Sequence, residues 1–207
     1  MSRGLGDVYK RQYLYCGLSR DASKEEILER INNNTITDIL NKIEVKAGDV
    51  VMVKAGTIHA IGAGVFICEI QQNSNCTYRM YDYDRRDKFG NPRELHVKKA
   101  LDVVDNHKYI KDNKTEVVIA RNEHFTEERL VQCKYFEVYK YDVNDEAKIT
   151  VDEASFVSVL FINGSGTIET DDYEKTMEFK AGDSFFVSAG LRSIIIKGQA
   201  TMVVTRV

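Results

Sequence analysis

Apolar residues recur at helical spacing along much of the first half of the chain and at strand spacing along most of the second. Ile27, Leu28 and Ile31 form one edge of a helix. Ser23-Lys24-Glu25-Glu26 precedes them as a capping box, in which the serine hydroxyl accepts from the amide three residues on and the glutamate reaches back. Asn32-Asn33-Asn34 ends the run. Ile36, Ile39, Leu40 and Ile43 then fall at i, i+3, i+4 and i+7 and predict a second short helix. A third is predicted over 94–105, with Val97, Ala100, Leu101 and Val104 facing inward. Between the helices, residues 50–53 read as a short strand between two glycine turns. Residues 65–72 and 76–81 read as hairpin arms around Asn73-Ser74-Asn75. In that register Glu69 lies directly opposite Arg79, a charged pair that is costly to bury unless the two meet each other or a ligand.

From about residue 117 the pattern is nearly all strand: 117–120, 130–133, 135–141, 156–162, 167–170, 184–187, 194–196 and 201–205. Turns are expected at Asn163-Gly164-Ser165-Gly166 and at Lys197-Gly198, the short spacing of a jelly roll. The expected architecture is mainly β, two jelly-roll barrels with a few short helices. Residues 13–107 form the first domain and 108–207 the second. Residues 1–12, MSRGLGDVYKRQ, carry no apolar periodicity and are expected to be a non-native leader.

An internal repeat links the two halves. Lys46-Ala47-Gly48-Asp49, four strand residues, one variable residue and Ala55-Gly56 recur as Lys180-Ala181-Gly182-Asp183, four strand residues, one variable residue and Ala189-Gly190. A repeat of this kind marks a duplicated structural unit. Where the first copy has His59, the second has Ser193. A histidine just beyond a strand-turn unit can point into a barrel mouth as a metal ligand, or be a satisfied polar residue of a loop. The asymmetry between the copies favours the ligand. His96, His107 and His124 have no ligand spacing to His59 or to one another and read as structural or solvated.

Charge and cysteine usage narrow the partners. A net charge of -3 gives no electrostatic case for nucleic acid or an acidic membrane. The mixed-sign run over 82–88 reads as a solvated turn. Cys16, Cys68, Cys76 and Cys133 form no C-x-x-C pair and are expected to be reduced, partly buried thiols. With no apolar run approaching about 18 residues, a cytoplasmic protein is expected.

The pattern G-D-x4-x-x-G-x-x-H, Gly48 to His59, resembles the second sequence motif of the cupin β-barrels, in which that histidine binds the metal. Lys54 stands where those proteins usually have proline. The longer run GTIHAIGAGVFICEIQQNSNCTYRMYDYDRRDKFGNPRELHVKKALDVV resembles the type I mannose-6-phosphate isomerases, in their short bacterial form. The likeness extends from Tyr13 to Val207. It implies a bicupin whose first barrel is incomplete here, because the family's first motif supplies a glutamine, a histidine and a glutamate as zinc ligands and has no counterpart in this chain. It also implies zinc as cofactor, with His59 the last of four ligands. Arg79 is matched to the active-site arginine and Glu69 to an acidic residue lining the same pocket. Arg85 is matched to a position near the substrate phosphate. The implied reaction interconverts mannose 6-phosphate and fructose 6-phosphate, and an N-terminally truncated chain is expected to be inactive alone. Two other classes fit parts of the pattern: a non-enzymatic cupin that binds a sugar or assembles, and a metal-dependent cupin oxygenase. The first does not require a Glu69–Arg79 pairing. The second needs a further histidine at ligand spacing.

Overall fold

A computed structural model describes residues 12–74, 76–111, 117–171 and 176–207, so all but Gln12 of the expected leader lies outside it. The chain divides into two compact units, one through Lys111 and one from Asp112 onward.

In the first unit, β1 (Tyr13–Leu18) is the centre of a three-stranded antiparallel sheet, between β2 (Leu40–Glu44) and β3 (His59–Ile61). Helix α1 (Lys24–Asn32) begins as the sequence predicts, with the Ser23 hydroxyl accepting from the Glu26 amide at 3.1 Å. The Glu26 carboxylate does not reach back to the cap. It binds the Arg20 and Arg30 guanidiniums instead, and they hold its pKa down to about 2. The second predicted helix lasts one 3-10 turn, Ile36–Ile39, because β1 recruits the next residues as a strand, pairing Ile43 with Leu14 and Lys42 with Tyr15. Helix α2 (Val97–Val103) is shorter than the predicted 94–105. Leu18, Ile27, Ile31, Ile36, Met80 and Ala100 meet in the core of this unit.

The strands predicted at 50–53, 65–72 and 76–81 form no ladder among the described residues. Phe66 is 90% exposed, so the 65–72 segment lays no apolar face against a partner. The backbone of Arg79 is committed elsewhere: His96 N–H donates to its carbonyl at 2.7 Å, and its own N–H points at His96 Nδ1 at 3.4 Å. That pairing replaces the expected register between residues 69 and 79.

The second unit is one open eight-stranded sheet wrapped around a single core. Its members are β4 (Val117–Arg121), β5 (Phe125–Gln132), β6 (Glu137–Val143), β7 (Glu146–Val151), β8 (Val157–Thr170), β9 (Thr176–Lys180), β10 (Ser184–Val187) and β11 (Arg192–Arg206). The first half of β11 lies between β7 and the end of β8, and its second half between β6 and the start of β8. This is jelly-roll wrapping, but among the described residues the hydrogen-bonded paths end at β4, β7, β9 and β10 and close no barrel. Ile194, Ile196, Ala200, Met202 and Val204 of β11 line the core. In β8 the buried positions change from odd (Val157, Val159, Phe161) to even (Ile168), because Ile162 is skipped in the ladder as a bulge.

The predicted turns at 163–166 and 197–198 are not turns. Gly166 pairs with Gly198 and Gly164 with Ala200, inside two continuous strands. A Cβ built on Gly164 would lie 1.9 Å from the Gln199 carbonyl oxygen, and one on Gly166 would lie 2.0 Å from that of Lys197. The glycines are there because two backbones cross in contact, which is the other meaning of glycine inside a strand.

His124, beside the start of β5, binds the Asp145 carboxylate at 2.9 Å. Asp145 raises the histidine's pKa, and the histidine lowers that of Asp145. A raised histidine value stabilises the fold fully below about pH 6.5 and is lost as pH climbs through the folded value. A lowered aspartate value stabilises above about pH 3.9 and is lost on acidification through the folded value. The melting temperature lost on His124→Gln should therefore be greatest between those limits and shrink on both sides. A loss that is flat from pH 4 to 9 would remove the pair as its cause.

Candidate active site

The repeated turn is the same object in both units. Asp49 N–H donates to the Lys46 carbonyl at 3.1 Å, and its carboxylate accepts from the Lys46 amide at 3.0 Å; Asp183 and Lys180 make the same two bonds at 3.1 and 2.9 Å. Gly48 and Gly182 have φ of 91° and 92°, and Gly56 and Gly190 have 83° and 81°. The chain beyond the first turn differs: residues 184–187 are strand β10, paired with β8, whereas 50–53 have no strand partner.

His59 opens β3, opposite Cys16 of β1, with the Gly17 N–H fixing the Ile58 carbonyl at 2.7 Å. The side chain is exposed. Its Nδ1 lies 3.0 Å from the Thr57 carbonyl, which can only accept, so in the neutral ring Nδ1 carries the proton and Nε2 is the nitrogen with the lone pair. That is how a histidine is set for a metal. Its counterpart Ser193 is 2% exposed and donates through its hydroxyl to Asp171, which also pairs with Lys148 at 3.4 Å. In the second unit the matching position is a buried polar contact.

The other expected residues each make contacts of their own. Arg79 is half-buried, and its guanidinium reaches the Glu94 carbonyl at 3.4 Å. Glu69 is exposed, and no hydrogen bond or ion pair joins any two of His59, Glu69, Arg79 and Arg85. Arg85 lies 3.6 Å from the carboxylate of Asp82. Asp82 is the surprise of the supposed solvated turn, because it is 8% exposed while residues 83–88 are exposed. Sequence reasoning missed it because its charged neighbours hide its position two residues after the buried Met80. Among the cysteines, Cys16 is buried, which pushes its thiol up, whereas Cys68 and Cys76 are exposed. All four are free thiols.

For zinc, His59 fits as one ligand. Among the described residues no group of three or more His, Cys, Asp or Glu could hold a metal ion. A zinc site takes three or four protein ligands, so these residues do not complete the shell. Among them, too, no helix is long and apolar enough to cross a membrane.

The wrapped sheet with its repeated glycine turn and single-histidine motif defines a cupin-type protein. Residues 126–207 match the family described as mannose-6-phosphate isomerase, cupin domain. Over 190 residues the chain is 41% identical to YvyI of Bacillus subtilis, covering 89% of this chain and 57% of that protein. It is 33% identical over 193 residues to mannose-6-phosphate isomerase ManA of the same organism, covering 88% of this chain and 56% of ManA. The crystal structure of the mannose 6-phosphate isomerase from Bacillus subtilis superposes with a TM-score of 0.85 at 36% identity, over 96% of this chain and 61% of that one. Residues 126–207 thus carry the cupin domain of the mannose-6-phosphate isomerases, and the chain as a whole is similar to isomerases of which it spans little more than half the length.

Proposed function

We infer that this chain forms part of a zinc-dependent aldose–ketose isomerase that interconverts mannose 6-phosphate and fructose 6-phosphate. What supports the reading most is the 33% identity to ManA over nearly the whole chain. His59, with Nε2 free, would supply one nitrogen to the metal. When bound, zinc supplies Lewis-acid chemistry at the sugar oxygens.

The chain's own residues have separable tasks. Isomerisation moves a proton between C1 and C2 through an enediol, and negative charge gathers on oxygen as it does so. Arg79 holds its backbone against His96 and makes one long side-chain contact, which leaves guanidinium donors for that oxygen. Glu69 is the carboxylate assigned to the same pocket, and Arg85 the cation for the phosphate. A cytoplasmic setting suits a substrate of this kind.

The test is a chimera. This chain is joined to the portion of the Bacillus subtilis isomerase that it does not match, and conversion of mannose 6-phosphate to fructose 6-phosphate is followed. Turnover is expected. A folded chimera that binds zinc and mannose 6-phosphate but yields no fructose 6-phosphate would remove the isomerase reading.

A further inference from the structure

The 82–93 loop is built to carry two arginines to one place. At its tip the Asp87 carboxylate accepts from the amides of Phe89 and Asn91 at 2.8 and 2.9 Å, and Arg86 bridges to Pro92. At its base a single oxygen of buried Asp82 lies 3.6 Å from both Arg85 Nη2 and Arg93 Nη1. A cavity of about 250 Å³ opens there, lined by Tyr81, Asp82, Arg85 and Arg93 among others.

The charges do not balance. Asp84, also on the wall, is answered by Arg86 at 3.0 Å, which leaves two guanidiniums against the one carboxylate of Asp82. The donors are not used up either. Neither guanidinium comes closer than 3.6 Å to the Asp82 carboxylate, and Arg85 spends one N–H on the Asp82 carbonyl at 3.4 Å. Each guanidinium offers five N–H donors in a planar fork suited to tetrahedral oxyanions. The second Asp82 oxygen is buried with no hydrogen-bond partner.

We propose that Arg93 is a second phosphoryl-binding residue, acting with Arg85 across this cavity, and that Asp82 is the positioning residue that sets their spacing. The ligand class is a phosphate monoester. The proposal rests on the isomerase reading only for the sugar that carries the phosphate.

Inorganic phosphate titrated into the 207-residue protein, followed by calorimetry and by the arginine Nε–H resonances, tests it. Arg93→Gln and Arg85→Gln are each expected to weaken phosphate at least tenfold, and Arg93→Lys, which keeps the charge and loses the fork, to fall between. Mannose 6-phosphate should compete with phosphate, and mannose should not. Unchanged phosphate affinity in a folded Arg93→Gln protein overturns the proposal, and unchanged affinity in Arg93→Lys together with Arg85→Gln does so if Arg93→Gln fails to fold. Mannose 6-phosphate that does not compete also overturns it, and leaves the chimera's turnover to judge the isomerase reading separately.

Discussion

Gly164→Ala is expected to cost the second unit more than about 4 kcal/mol, in the range reserved for severe core damage, and to lower its melting temperature by about 15 °C or more. Two effects add. The residue sits at φ +89°, where any side chain is strained, and its new methyl would lie 1.9 Å from the Gln199 carbonyl oxygen and 2.8 Å from the Ala200 Cα. Those are backbone atoms inside the β8–β11 ladder, so relief requires the strands to part. Gly182→Ala separates the two effects, because it has the same sign and size of φ, +92°, with nothing within 4 Å. It should lose only about 1–2 kcal/mol, the cost of a left-handed side chain. Equal losses at the two glycines, read by thermal melting of the whole protein, would refute the crossing as the reason.

His59→Ala is expected to have the largest effect on chemistry. The 207-residue chain by itself should hold zinc weakly and below one ion per chain, since its described residues gather no three-donor cluster. In the chimera with the Bacillus subtilis portion, one zinc per chain is expected. Losing residues that merely orient a ligand costs about 10–100-fold in metal affinity or activity. Removing a ligand itself should therefore exceed about 100-fold in both zinc affinity and kcat/KM. His59→Cys, which keeps a donor that zinc accepts, should retain part of the affinity. A chimera carrying His59→Ala with parental zinc content and turnover would end the assignment, as would tight stoichiometric zinc and turnover in the 207-residue chain alone.

Much of this was legible in the residues. The Ser23 cap, the buried stripe of α1 and the repeat with its two matching aspartate turns depend on contacts within a few positions of each other, and local pattern reports local contact. The second helix ended early because residues 40–44 pair with β1, and that contact between distant positions overrides the helical spacing of Leu40 and Ile43. The glycine pairs at 164–166 and 198 were read as turns because a turn and a close crossing ask the same thing of a residue. Their partners lie more than thirty positions away. At the site, His59 was found through its missing counterpart Ser193. Asp82 and Arg93 were not found, because what singles them out is burial of one charge beneath another, and that is set by the folding of the 82–93 loop.

The position of β11 in the second unit has a consequence for how the protein is made. It pairs with β6, β7 and β8 along its fifteen residues, and supplies Ile194, Ile196, Met202 and Val204 to the core. None of those three neighbours can complete its ladder until residues 192–206 have emerged from the ribosome. At about 5–20 residues per second, β6 is synthesised several seconds before the strand that covers it. Through that interval the apolar faces of β6, β7 and β8 are open to the ribosome surface, to chaperones and to other nascent chains. The second unit is thus committed to folding after synthesis of its last strand rather than during it.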